Sequence, residues 1–206
     1  MGVIMDIPRL TDPESGLMIA EWMIERYGDG LIALGLGGPE VDHPPEKFQA
    51  AFERVRAAGI PCILHAGETV GPSSIWSAIR VADTKRIGHG VRAIEDPELI
   101  TCLRETQIPL EVCPTSNICL KVYPSLEEHS LPKLMEEGLY ITINSDDPPM
   151  FNTTLTNEFI IGHQAFGWDF EQIQKFILNA VRVTLLPERE RRTMQALFEE
   201  DFENLW

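Results

Sequence analysis

Six short apolar stretches alternate with single helical stretches through mostly short connections, and this alternation predicts an α/β fold of parallel β/α units. The stretches are Gly2–Ile7, Leu31–Leu36, Pro61–His65, Arg86–His89, Ile108–Cys113 and Tyr140–Asn144. Length narrows the class: the chain has 206 residues, whereas an eight-stranded β/α barrel usually needs about 250. A third observation concerns Gly35-Leu-Gly-Gly38, which is followed by Pro39 and not by a helix start, so the G-x-G-x-x-G signature of an open nucleotide-binding sheet is missing. The expected architecture is therefore a (β/α)8 barrel of the TIM type, incomplete, with about six β/α units and extra C-terminal helices. One domain over residues 1–206 is expected, and an open doubly wound sheet is the rival arrangement.

The elements follow in order. Gly2–Ile7 is apolar enough for a buried strand, and Thr11-Asp-Pro-Glu14 then reads as a capping box with proline in the first turn. Leu17, Ala20, Met23, Ile24 and Tyr27 recur at helical spacing until Gly28. After the second strand, Pro44 and Pro45 open a helix whose Phe48, Ala51, Phe52 and Val55 face inward, and Gly59 ends it. Gly71-Pro72 reads as a turn before a helix marked by Ile75, Trp76, Ile79 and Val81, and Asp96-Pro97 starts another through Leu103. Cys113 to Asn117 reads as a loop and Leu120 to Ser130 as a looser segment, followed by a helix from Leu131 to Glu137. Beyond Asp146 the chain turns helical, at roughly 155–166, 169–181 and 187–205.

Composition limits the partners. A net charge of −15, with no cluster among the 17 Lys and Arg, disfavours nucleic acid, whose phosphates need a basic stripe. A small neutral ligand stays compatible. The four cysteines, Cys62, Cys102, Cys113 and Cys119, form no C-x-x-C pair, which suggests reduced thiols and a cytoplasmic location. No apolar run reaches the roughly 18 residues of a membrane span, and no basic leader precedes an apolar core. Neither membrane nor secretion is expected.

In parallel β/α architectures ligands gather at the carboxyl ends of the strands. Three strand ends carry chemistry: His65 with Glu68 three residues on, His89 between Gly88 and Gly90, and Asp146 with Asp147. Each has a bland reading taken alone: a core or loop histidine, a turn histidine, and a turn or helix-cap aspartate. Together, imidazoles and carboxylates from three strands make a metal-hydrolase constellation, because catalytic zinc takes nitrogen and oxygen ligands and keeps a position for water. Cys113 reads as core. His43, His129 and His163 have no partner in spacing and receive no role, and Glu188 to Arg192 reads as the solvated face of the last helix.

Four motifs then carry a resemblance. His-Ala-Gly-Glu at 65–68, Arg-Ile-Gly-His-Gly at 86–90, Leu-Glu-Val-Cys-Pro-Thr-Ser-Asn at 110–117 and Ser-Asp-Asp-Pro at 145–148 resemble, in this order, the adenosine and adenine deaminase family of the amidohydrolase barrels. The resemblance implies one zinc ion with His65 and Asp146 among its ligands. It implies Glu68 as the proton shuttle to purine N1, His89 as the group orienting a zinc-bound hydroxide, and Asp147 as a partner of that hydroxide and of purine N7. Gly38 matches the position whose backbone meets purine N3. The implied ligand is a purine nucleoside, since Gly88 precedes His89 where the adenine-specific branch tends to carry aspartate. Adenine and larger adenosine derivatives such as aminodeoxyfutalosine are the alternatives. The His-x-Glu and Pro-Cys-x-x-Cys pattern of cytidine-type deaminases is absent, which sets that fold aside.

One departure matters. The family's first strand carries a His-x-His pair that supplies two more zinc ligands, and no such pair occurs in the sequence. The expectation is a chain lacking the N-terminal part of the barrel, binding zinc weakly and inactive unless a separate chain or segment completes it. A catalytically silent purine-binding scaffold is the remaining alternative.

Overall fold

The computed structural model describes residues 2–205, so Met1 and Trp206 of the expected 1–206 domain lie outside the described residues. The six strands are β1 (Val3–Pro8), β2 (Leu31–Gly37), β3 (Cys62–Ala66), β4 (Arg86–His89), β5 (Leu110–Val112) and β6 (Ile141–Ile143). They form one parallel sheet in the order β1-β2-β3-β4-β5-β6. A doubly wound sheet reverses direction at a switch point. This sheet never does, so each β/α unit adds to the same side of the last, as in a barrel wall.

The helices between the strands start where proline allows. Pro sits in the first turn of α1 (Pro13–Arg26), α3 (Pro72–Ala82), α4 (Pro97–Thr106), α5 (Pro114–Cys119), α6 (Leu131–Glu136) and α7 (Pro148–Phe151), and α2 covers Gln49–Ala57. At that position the missing N–H is no loss, and the fixed φ suits the helix. The same rule moves the first cap by one residue. With Pro13 opening α1, Asp12 and not Thr11 becomes the N-cap and accepts from the Ser15 amide at 2.8 Å. The core lies between sheet and helices, where Leu34, Leu36, Phe48, Phe52, Leu64, Ile87, Leu99 and Leu103 are fully or almost fully buried.

Two expectations need correction. Gly2–Ile7 looked fit for burial, yet only Ile7 and the flanking Arg9 are buried in that region, and Val3 is 54% exposed. A continuous apolar run signals burial only when both faces and both edges are covered, and among the described residues β1 pairs with β2 alone. Cys113–Asn117 looked like a loop but opens α5, because Pro114 initiates the turn and the weak helix formers behind it have other work for their side chains. The C-terminal helices α8 (Leu155–Phe166), α9 (Phe170–Arg182) and α10 (Glu188–Glu203) match their expected spans closely. Of these, α9 lies against β6 and α10 lies against α9, with Arg192 and Glu188 paired on its exposed face.

Candidate functional site

The carboxyl end of β3 aims His65 by a hydrogen bond. Its Nδ1 lies 3.1 Å from the Leu36 carbonyl of β2. A carbonyl only accepts, so Nδ1 carries the proton and Nε2 keeps a free lone pair, the arrangement that fixes a metal-ligating histidine. In register, His65 lies opposite Gly88. A Cβ at residue 88 would sit 3.2 Å from the Cα and ring of His65, so the glycine leaves the imidazole room.

Asp146 comes from the far side of the sheet. Past β6 its backbone turns left-handed, φ 53°, a conformation aspartate tolerates better than most residues. The Ser116 hydroxyl donates to Asp146 Oδ2 at 2.7 Å, which leaves Oδ1 free. One donor atom each from His65, His89 and Asp146 lie within 4.8 Å of one another.

Glu68 is positioned by a second carboxylate. Glu40, 4% exposed, accepts from the amides of Gly67, Glu68, Thr69 and Val70 and from the Ser74 hydroxyl, at 2.6 to 3.0 Å. Burial works to raise the Glu40 pKa, but these hydrogen bonds, with the nearby charge of Arg9, outweigh it and hold the pKa below its usual value. The loop carrying Glu68 is thereby clamped. Glu68 itself has a buried Oε1 without a hydrogen-bond partner, 3.6 Å from His89 Nε2. Burial first, then repulsion by Glu40, pushes its pKa up to about 7. Arg9, fully buried, ties the neighbouring segments by donating to the carbonyls of His43 and His65.

His89 is 2% exposed and adopts φ 65°, and burial followed by the nearby His65 depresses its pKa, so the ring is neutral at pH 7. Its Nδ1 lies 3.2 Å from the Asn117 side-chain amide. A cavity of about 320 Å³ opens over these groups, lined by His65, Gly88, His89, Cys113, Asn144 and Asp146 among others. The Cys113 thiol is pushed well up by burial, in keeping with a core role. A wider cleft of about 670 Å³ lies on the outside, around Trp168 and α9, away from all of this.

The expected residues are thus placed as follows. His65, Glu68, His89 and Asp146 converge. Asp147 is exposed and heads α7, outside the compact His-His-Asp group, and Gly38 sits at the end of β2 with φ 97°, a backbone only glycine adopts readily. Glu40, Arg9, Ser116, Asn117 and His129 hold the site and were missed. The first lay in view within Gly-Gly-Pro-Glu, and Ser116 and Asn117 within Pro-Thr-Ser-Asn, but nothing in the spacing pointed to Arg9 or His129.

The donors present suit a divalent cation. One imidazole has a free nitrogen fixed by its other hydrogen bond, one carboxylate oxygen is free, and the surrounding charge is acidic. The adenosine deaminase family model matches residues 1–200. The chain belongs to the adenosine deaminase family. This deaminase-family chain is 41% identical over 179 residues to the aminodeoxyfutalosine deaminase of Streptomyces avermitilis, covering 84% of this chain and 50% of that one. It is 41% identical over 184 residues to the adenine deaminase of Bordetella parapertussis, covering 89% and 58%. The chain therefore spans only 50% to 58% of the length of these curated relatives. The crystal structure of an adenine deaminase from Arthrobacter aurescens superposes with a TM-score of 0.93 at 28% identity, over 98% of this chain and 62% of that one. An amidohydrolase solved with bound Zn, from Burkholderia ambifaria, gives 0.92 at 27%, over 99% and 57%. The barrel reading of the fold holds for this family member, and the doubly wound rival does not. No helix among the described residues is long and apolar enough to cross a membrane.

Proposed function

We propose that this chain forms the proton-handling and purine-facing part of a zinc-dependent deaminase that converts adenosine, or an adenosine derivative, and water to the inosine form and ammonia. The observation that carries the reading is Glu68. Its buried oxygen is unpartnered, its pKa is near neutrality, and it stands beside the His65, His89 and Asp146 donors. His65 Nε2 and Asp146 Oδ1 would hold the cation, which when bound acts as a Lewis acid making water nucleophilic near pH 7.

The chain's own groups supply the rest. Water adds at C6 of the purine, and the ring accepts that addition once its N1 is protonated. A carboxylic acid with a pKa near 7 can donate this proton and be reloaded at physiological pH. His89 faces the attacking water, Asp147 at the mouth meets that water and purine N7, and the Gly38 backbone meets N3. The new C6 hydroxyl then gives its proton to the departing amine as the C6–N bond breaks, leaving a C6 carbonyl and ammonia.

Gly88 supports a nucleoside. It stands where the adenine-specific branch tends to carry aspartate, and a Cβ there would press on the Cα and ring of His65 at 3.2 Å. Aminodeoxyfutalosine deaminase and adenine deaminase among the relatives mark the two alternatives. Two ligands are fewer than the three protein ligands of an ordinary catalytic zinc site, so a further segment is proposed to complete the set. Exposed Val3 and Leu10 near β1, and Met150 and Leu155 after β6, give it apolar surface at both free sheet edges.

The test is ammonia release from adenosine, adenine and aminodeoxyfutalosine during zinc titration. It is run on the chain alone and with the portion of the Streptomyces avermitilis relative that this chain does not match. Ammonia is expected only in the combined sample, fastest from a nucleoside. Full turnover by the chain alone would refute the need for a completing segment. No zinc uptake even with that portion supplied would favour a silent purine-binding scaffold.

A further inference from the structure

Behind His89 lies a buried relay whose polarity is fixed at one end. The Leu131 backbone amide donates to His129 Nδ1 at 3.0 Å. A backbone N–H has no alternative role, so His129 Nδ1 must be the acceptor and the ring proton must sit on Nε2. His129 Nε2 lies 3.1 Å from Asn117 Oδ1, and Asn117 Nδ2 lies 3.2 Å from His89 Nδ1. Each link has one satisfied direction. His129 donates to the Asn117 oxygen, the Asn117 amide donates to His89 Nδ1, and the only ring proton of a neutral His89 is left on Nε2, facing Glu68.

The relay is dry. Asn117 is fully buried, His129 is 3% exposed, and Tyr123 covers the His129 ring at 4.6 Å between centroids. Burial depresses the His129 pKa to about 4, so the second proton that would reverse the chain is absent at neutral pH.

We propose that Asn117 and His129 are positioning residues that lock His89 in its Nε2–H tautomer, making it a hydrogen-bond donor to the reacting centre and withholding it from the metal. Without that lock the free nitrogen of His89 would be a third ligand beside His65 and Asp146, since donor atoms of all three lie within 4.8 Å. With it, Nε2 has no lone pair to give. The donor would face the incoming water or the oxygen it becomes on C6, and could not take a proton from either. This deepens the deaminase reading but stands on separate observations.

The experiment reads tautomers directly, by long-range proton–nitrogen NMR of the metal-free chain labelled with 15N-histidine at pH 7. The five histidines are assigned by replacing each in turn. The wild-type chain is expected to show the His89 proton on Nε2. Asn117→Asp replaces the donor with a carboxylate that accepts from both rings, and should move the His89 proton to Nδ1. His129→Gln, whose amide accepts from Leu131 and donates to Asn117, should preserve the wild-type pattern, whereas His129→Leu should leave His89 in a mixture. A wild-type proton on Nδ1, or a proton that stays on Nε2 in Asn117→Asp, overturns the proposal. Should that variant fail to fold, the wild-type position and the contrast between Gln and Leu at 129 decide. Lack of deaminase activity leaves this result standing, and a reversed tautomer removes only the donor role of His89.

Discussion

Glu68→Gln is expected to lower kcat for deamination by at least about 100-fold in the sample that turns over, with KM changed much less. The substitution keeps the shape of the side chain and removes its acid. An amide cannot release a proton to purine N1, so the loss falls on the step in which C6 becomes electrophilic. The pH dependence has a definite sign. The acid form of Glu68 is the donor and its pKa is about 7, so in the wild-type protein that contribution is present below pH 7 and is lost as pH rises through it. In the variant this limb should vanish. A variant that keeps wild-type kcat, or whose rate still falls above pH 7 with the same midpoint, would remove Glu68 from the role proposed for it.

The second large effect is on stability. Glu40→Gln should cost about 2–3 kcal/mol at pH 7, because it exchanges charge-assisted hydrogen bonds for an amide that points one NH2 at donors. Those donors are the amides of residues 67 to 70 and the Ser74 hydroxyl. Since the folded-state pKa of Glu40 is depressed, its stabilisation is present above the unfolded value of about 4.5 and fades as pH falls through the folded value. Denaturant melts at pH 7 and pH 4 should therefore show a smaller gap between variant and wild type at the lower pH. An equal gap at both would mean that Glu40 acts through packing and not through its charge. Loss of the clamp also frees the Glu68 loop, so kcat should fall with stability.

The repeating units were legible because strand runs such as Cys62-Ile-Leu and helix openings such as Asp96-Pro97 state their structure locally. The edge position of β1 was not, since exposure there depends on what lies beside the strand and not on its own residues. Within the site, His65, Glu68, His89 and Asp146 were readable because strand ends in parallel β/α folds share one rim. The supporting residues were not. Glu40 reaches Glu68 across 28 positions of sequence, and His129 reaches His89 only through Asn117. Such contacts are set by how loops fold over the rim, which no spacing rule encodes. Asp147 shows the opposite case, a residue strongly marked by its neighbours that is nonetheless exposed and outside the His65, His89 and Asp146 group.

The strand ends are expected to gather around one cation. X-ray absorption at the zinc edge, on the zinc-loaded chain and its His65→Ala and Asp146→Ala variants, reads that arrangement directly. The predicted result is imidazole nitrogen at 2.0–2.1 Å and carboxylate oxygen at 2.0–2.2 Å, with the nitrogen shell reduced in the first variant, the oxygen shell reduced in the second, and zinc uptake weakened in both. Zinc bound equally well by all three proteins, with unchanged ligand shells, would place the metal elsewhere and contradict the account.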